Sequence, residues 1–252
     1  MPEADLALLE EAVRAAGVIA RGYFGGTFRR WSKEGGSPVT EADLEIDAFL
    51  KARLTAARPG YAWLSEESAD DPARLKAARL FIVDPIDGTV AFLKQRPHFT
   101  ICAAIVQDGA PRTGVVYNPI TEEMFRAAGG AGADLNGAPI HVGARAALEG
   151  ARLLGEQAKL VPPAWPVMTV ESRNSAAYRL ALVAAGQFDA VISLTPKRDW
   201  DLAAAELICR EAGGIVTDRL GAPLRYNRAS AAHSSVIAAN PALHAAILPL
   251  VA

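Results

Sequence analysis

Leu80-Phe81-Ile82-Val83-Asp84-Pro85-Ile86-Asp87-Gly88-Thr89 decides how this 252-residue chain is read. Four consecutive apolar, strand-forming residues run into two aspartates spaced three positions apart, followed by a glycine and a threonine. The pattern predicts a buried strand over 80–83 ending in a turn, with charged side chains gathered at its carboxyl end. Asp87 also suits the cap of a helix that starts after Gly88-Thr89, so the segment alone leaves a structural and a chemical role open.

N-terminal to this strand, Leu6, Leu9, Val13 and Ala16 recur at helical spacing and predict an amphipathic helix from residue 4 to about 24, ended by Gly25-Gly26. Thr40, with Asp43 three residues later, opens a second helix over roughly 41–57, closed by Pro59-Gly60. Between them KEGGSPVT (33–40) reads as a polar loop. C-terminal to the strand, FTICAAIV and GVVYNP flank an Asp-Gly turn signal, and MFRAAGG and PIHVG flank Leu135-Asn136-Gly137-Ala138. The second half predicts a helix near 174–186, a strand FDAVISL, and a helix over about 200–212 ending at Gly213-Gly214. A hairpin around Leu220-Gly221, a strand SSVIAA and a final helix from Pro241 complete it. Helices and antiparallel strands interleave without a regular βαβ period, which makes the class α+β layering and not a doubly wound parallel sheet.

About half the residues are apolar and the formal net charge is −2, as expected of an ordinary soluble globular chain without the electrostatic footprint of a nucleic-acid-polymer binder. The acidic, amphipathic N-terminus lacks a secretory pattern and no window reaches membrane-spanning length, so a cytoplasmic protein with no membrane association is expected. Cys102 and Cys209 sit among apolar residues and read as buried free thiols.

Acidic residues recur in three separated places: Glu66-Glu67 after an aromatic and leucine run, Asp84 with Asp87, and Asp199-Trp200-Asp201 at a helix start. Capping explains one of the last two aspartates but not both. Carboxylates crowded at a strand end repel one another unless cations neutralise them, and oxygen ligands without histidine or thiol select Mg²⁺, Mn²⁺ or Ca²⁺ over zinc, of which Mg²⁺ is expected here. Magnesium completes its shell with substrate phosphate, while Gly88 lets backbone approach and the helix start at Thr89 offers free N–H groups to an anion. Asp-x-x-Asp-Gly-Thr is one residue longer than the Asp-x-Asp-Gly-Thr of aspartyl-phosphate phosphatases, which favours a metal-activated water as nucleophile.

SPVTEAD (37–43), LSEES (64–68), FIVDPIDGT (81–89) and DWDLAAAELICREAGG (199–214), in this order, resemble the inositol monophosphatase superfamily of Mg²⁺-dependent, lithium-sensitive phosphatases. The resemblance implies a layered αβαβα sandwich, one phosphatase domain over 1–252 with two packed lobes (about 1–145 and 146–252), and a homodimer. It implies that Glu66, Asp84 and the Ile86 carbonyl hold one Mg²⁺, that Asp84, Asp87 and Asp201 hold a second, and that Glu66 helps bind a third. Thr89 would activate the water and Asp43 would orient Thr89, although Asp43 also reads as a capping-box acid. Gly88, Thr89, Asp87, Ala177, Arg179, Lys197 and Asp201 would contact the phosphate or substrate, a small phosphorylated metabolite.

Departures concern the substrate. Inositol-phosphate enzymes of the family commonly carry Thr-Asn after the Gly-Thr, where this chain has Val90-Ala91, and an acidic residue that contacts inositol hydroxyls where it has Leu194. The 3′(2′),5′-bisphosphate nucleotidases, acting on adenosine 3′,5′-bisphosphate, resemble it in SPVT, LSEE and AFLKQRPHFT. Arg179 falls where they tend to carry a lysine. Lys197 and Arg198 would then serve a second phosphate, and Lys33 is a further cation in reach of substrate or simply an exposed loop residue. A non-catalytic regulatory protein is the reading from another class, but every expected side-chain ligand is present.

Overall fold

The computed structural model describes residues 2–33 and 36–251. Helix α1 (Pro2–Tyr23) and helix α2 (Glu41–Ala57) flank a short hairpin, β1 (Arg30–Ser32) and β2 (Pro38–Thr40). The expected loop over 33–40 therefore ends in strand β2; its Glu34 and Gly35 lie outside the described residues. Thr40 caps α2 as its spacing to Asp43 predicts, each satisfying the other's backbone N–H.

A seven-stranded sheet follows in the order β3 (Ala62–Ser65), β4 (Arg79–Asp87), β5 (Thr100–Gln107), β6 (Ala110–Asn118), β7 (Glu123–Ala128), β8 (Ala133–Leu135) and β9 (Ala138–Pro139). All neighbours are antiparallel except β3 and β4. PIHVG does not form the expected strand: pairing stops at Pro139, and Ile140 instead buries its side chain in the core.

The strands obey the two-residue period of a sheet buried on both faces. Phe81, Val83, Ile101 and Ala103 pack with Leu9, Val13, Ile46 and Leu50 of α1 and α2. Leu80, Ile82, Cys102 and Ala104 pack on the other face against α4 (Ala176–Ala184) and α5 (Asp199–Glu211). Those two helices cover a second sheet of five strands, in the order β11 (Thr169–Glu171), β10 (Arg152–Gly155), β12 (Ala190–Ser193), β16 (Val236–Ala239) and β14 (Ile215–Thr217). Its far face, through Ala190, Ile192 and Ile237, packs on Leu243 and Ile247 of α6 (Pro241–Val251). The result is the helix, sheet, helix, sheet, helix sandwich. The hairpin expected at Leu220-Gly221 reduces to one bridge, Thr217 to Pro223. A ribbon of β13 (Lys197–Arg198) with β15 (Ala232–His233) flanks the start of α5.

Helix α5 lies so close to β6 that a Cβ on Gly114 would stand 2.8 Å from the Ala204 carbonyl oxygen and 2.9 Å from its Cα. Gly114→Ala is expected to lower stability by about 1–3 kcal/mol through overpacking, read as a lower urea midpoint at unchanged slope; an unchanged midpoint would contradict this contact.

Candidate active site

Strand β4 does not end at Val83. It runs on to Asp87 through a bulge, where Asp84 pairs with Cys102 and Asp87 with Thr100, so three steps on β4 face two on β5. The extra residue inverts the alternation: Ile86 drops into the core beneath α1 and α2, while Asp87 joins Asp84 on the side of α4 and α5. Gly88 then turns the chain at φ +100° into the short helix α3 (Thr89–Leu93), where a Cβ would lie 3.0 Å from both the His98 carbonyl and the Ser175 nitrogen. Gly88, not Asp87, is the N-cap of that helix.

Glu66 follows β3. The Asp47 carboxylate of α2 accepts from Ser65 and Ser68, each at 2.5 Å, and so holds the chain on both sides of Glu66-Glu67. Lys33 Nζ donates to Glu66 Oε1 and to the Glu66 carbonyl, both at 3.2 Å, and to Glu67 Oε1 at 2.7 Å. Asp201 enters from the first turn of α5, with one oxygen accepting from the Arg198 N–H at 2.8 Å. Asp199 serves the fold instead, its carboxylate accepting from His233 Nε2 at 2.8 Å and from the Asn227 N–H at 2.9 Å.

Glu66, Asp84 and Asp201 each offer an oxygen within 4.8 Å of the others. Asp84 Oδ1 accepts from the Ile86 N–H, but its Oδ2 is buried without any partner among the described residues. Burial, then the charges of Glu66 and Asp87, raise the Asp84 pKa well above its ordinary value. Burial and Asp87 push Asp201 up to about 7. An orphaned carboxylate oxygen among further oxygens, with no sulfur or imidazole in the group, suits a hard divalent cation. Asp87 lies beside this trio but both its oxygens are engaged: Oδ2 by Ser175 Oγ and the Ala177 N–H, each at 2.7 Å, and Oδ1 by the Ala176 N–H at 3.2 Å.

Behind the carboxylates, Thr89 Oγ1 lies 3.4 Å from Asp43 Oδ1 and 3.2 Å from the Ile86 carbonyl, its donor targets. Burial lifts Asp43 to about 6 even though Thr40 donates to it twice. A cavity of about 220 Å³ opens above, reached by Glu66, Asp84, Asp87, Gly88, Thr89, Arg179, Lys197 and Asp201. Arg179 is 7% exposed and, among the described residues, its guanidinium bonds only through Nε, to the Ser175 carbonyl. Lys197 Nζ bonds Thr195 and the Pro196 carbonyl. Burial pushes the pKa of both cations down, and among the described residues neither has a carboxylate within ion-pair distance.

Three expectations fail, the first at Ala177, which is buried away from the cavity lining with its N–H given to Asp87. Leu194 does not line the cavity but packs on the apolar cluster beneath the second sheet, and Arg198 is exposed outside the cavity. Sequence reasoning also missed Ser37, Asn174 and Ser175, brought in by the β1–β2 hairpin and the start of α4. The signal for Ser175 was available, since it is a serine ahead of Ala176-Ala177 where a helix cap belongs.

A model of the Inositol monophosphatase family matches residues 1–252. An inositol-1-monophosphatase of Rhizobium meliloti (strain 1021) is 38% identical over 198 residues, 73% of each chain. The Nus factor SuhB of Escherichia coli (strain K12) is 33% identical over 231 residues, 85% of this chain and 86% of that protein. Among solved structures, the extragenic suppressor protein suhB from Bartonella henselae superposes with a TM-score of 0.87 at 29% identity over 98% of both chains. A Thermotoga maritima IMPase superposes with 0.85 at 29% identity, covering 100% of this chain and 97% of that one. The chain belongs to the inositol monophosphatase family, a family of metal-dependent phosphatases. No helix among the described residues is long and apolar enough to cross a membrane.

A carboxyl whose pKa is higher in the folded than in the unfolded state takes up a proton on folding, so its contribution to stability falls as pH rises between the two values. For Asp201 that window runs from the ordinary 3.8 up to about 7. The cation-free protein is therefore expected to lose thermal stability from about pH 4 to about pH 7, and millimolar Mg²⁺ to restore it mainly at the upper end. Asp84→Asn should shrink both effects in a melting experiment; equal Mg²⁺ stabilisation at both pH values would contradict the assignment.

Proposed function

We propose that this protein is a Mg²⁺-dependent phosphomonoesterase acting on a small phosphorylated metabolite. The observation that carries the proposal is the Asp84 carboxylate, which offers an oxygen within 4.8 Å of Glu66 and Asp201 oxygens and whose Oδ2 is buried without a partner among the described residues. Glu66, Asp84, Asp201, the Ile86 carbonyl and Asp87 would hold the ions. When bound, these cations neutralise the carboxylates, lower the pKa of water and stabilise the leaving alkoxide.

The chain's own residues orient the reactants. Thr89 Oγ1, with its proton directed to Asp43 Oδ1 and the Ile86 carbonyl, keeps a lone pair for the attacking water. As water attacks phosphorus, its proton passes to Thr89 Oγ1 and the threonine proton to Asp43, whose carboxyl titrates near 6. Gly88 leaves room for the phosphate to approach the backbone. The leaving oxygen departs on the side opposite the attack. A regulatory role alone would give no reason to keep this set of buried carboxylates, which are costly without a cation.

A specific observation favours the bisphosphate branch of substrates: Arg179 and Lys197 bring to the same cavity two partly desolvated cations that have no carboxylate partner among the described residues. A second anionic group on the substrate would satisfy both. Asp201→Asn is expected to lower kcat/KM by about 100-fold or more, and a chelator to abolish activity; full turnover in chelator would sink the metal mechanism. Arg179→Ala is expected to reduce kcat/KM for adenosine 3′,5′-bisphosphate by about tenfold more than for inositol 1-phosphate. Equal losses on the two would remove the argument for a second anion.

A further inference from the structure

We infer that Thr100 and Ser175 are positioning residues which, with Cys102, form a directed hydrogen-bond relay that holds the Asp87 carboxylate in its working orientation. The inference rests on the reading of Asp87 as a cation ligand.

Donor and acceptor counting fixes the direction. Ionised Asp87 only accepts, so the single Ser175 hydroxyl proton goes to Asp87 Oδ2 at 2.7 Å. Ser175 Oγ then serves as acceptor for its other neighbours, the Tyr178 N–H at 2.8 Å and Thr100 Oγ1 at 3.0 Å. The Thr100 proton is thereby committed to Ser175. Its oxygen, 3.3 Å from Cys102 Sγ, accepts the thiol proton. Protons therefore point from Cys102 through Thr100 and Ser175 to Asp87, with no alternative assignment while the carboxylate is charged.

The relay is buried along its whole length, with Thr100 and Ser175 at 0%, Cys102 at 1% and Asp87 at 6% exposure. Buried hydroxyls have no water to turn towards, so each link fixes the rotamer of the next. Its placement is also telling. Thr100 and Cys102 are the residues that pair with Asp87 and Asp84 across the bulge. The neighbouring strand thus braces the same irregularity that brings the two aspartates to one side. Oδ2 carries two donors and is the anchored oxygen; Oδ1 carries one and keeps acceptor capacity for a cation. Removing the Thr100 hydroxyl frees the Ser175 hydroxyl to swing, and Asp87 loses its fixed aim without losing its charge.

The experiment is a Mn²⁺ titration followed by electron paramagnetic resonance on the wild type, Thr100→Val, Thr100→Ser and Asp87→Asn, with thermal melts of each. Thr100→Val is expected to weaken Mn²⁺ binding by about tenfold, and Thr100→Ser, which restores the hydroxyl, to return it to the wild-type value. Weakening by Asp87→Asn but not by Thr100→Val overturns the relay and leaves the reading of Asp87 intact. Unchanged binding in Asp87→Asn overturns that reading itself. A lower melting point in Thr100→Val with unchanged Mn²⁺ affinity marks a packing role only and also overturns the relay. Should Thr100→Val not fold, Ser175→Ala is titrated in its place, and unchanged affinity there is decisive against the proposal.

Discussion

A β-strand sends successive side chains to opposite faces, so two aspartates three positions apart on β4 would ordinarily stand on opposite sides of the sheet. The surplus residue between Asp84 and Asp87 removes that conflict, because three steps on β4 face two on β5. Both carboxylates then reach the layer occupied by α4 and α5, and Ile86 becomes a core residue and a carbonyl acceptor for Thr89. Every other part of the site is arranged around this irregularity. Gly88 admits the Ser175 backbone, α4 presents its first N–H groups to Asp87, and α5 brings in Asp201.

Such an arrangement works against the stability of the cation-free fold. Burial and mutual repulsion raise Asp84 and Asp201 out of the ordinary carboxylate range. The chain offsets this with donors and cations placed at the margins: Lys33 on Glu66, the Arg198 N–H on Asp201, and the start of α4 on Asp87. None of these reaches Asp84 Oδ2, which is buried without a partner among the described residues. The scaffold is thus adapted to a ligand with concentrated positive charge, which is the physical content of metal dependence in this family. The lining of the same cavity also carries positive charge, in Arg179 and Lys197. The cavity is bipolar.

Much of the fold was legible because its signals are local. The Thr40 to Asp43 spacing located α2, continuous apolar runs and the turn signals between them located β4 through β7, and Gly213-Gly214 located the end of α5. The short strands β10, β11, β13 and β15 were not legible, since stretches of two to four residues carry no period and owe their pairing to partners distant in sequence. Leu194 illustrates the same limit within the site: the family resemblance put it against the substrate, whereas its side chain found the apolar cluster beneath the second sheet.

Residue type and spacing along single segments therefore determined the layered class, the carboxylates at risk of crowding, and the kind of cation that would relieve them. The tertiary structure decided which oxygen stays orphaned, that Asp87 is held by Ser175 and the start of α4, and that Arg179 and Lys197 share one cavity with the acids. The reason is one of range. A strand's period and a helix cap are written within a few residues, but the bulge parity and the relay from Cys102 to Asp87 exist only once β4, β5 and α4 have packed together.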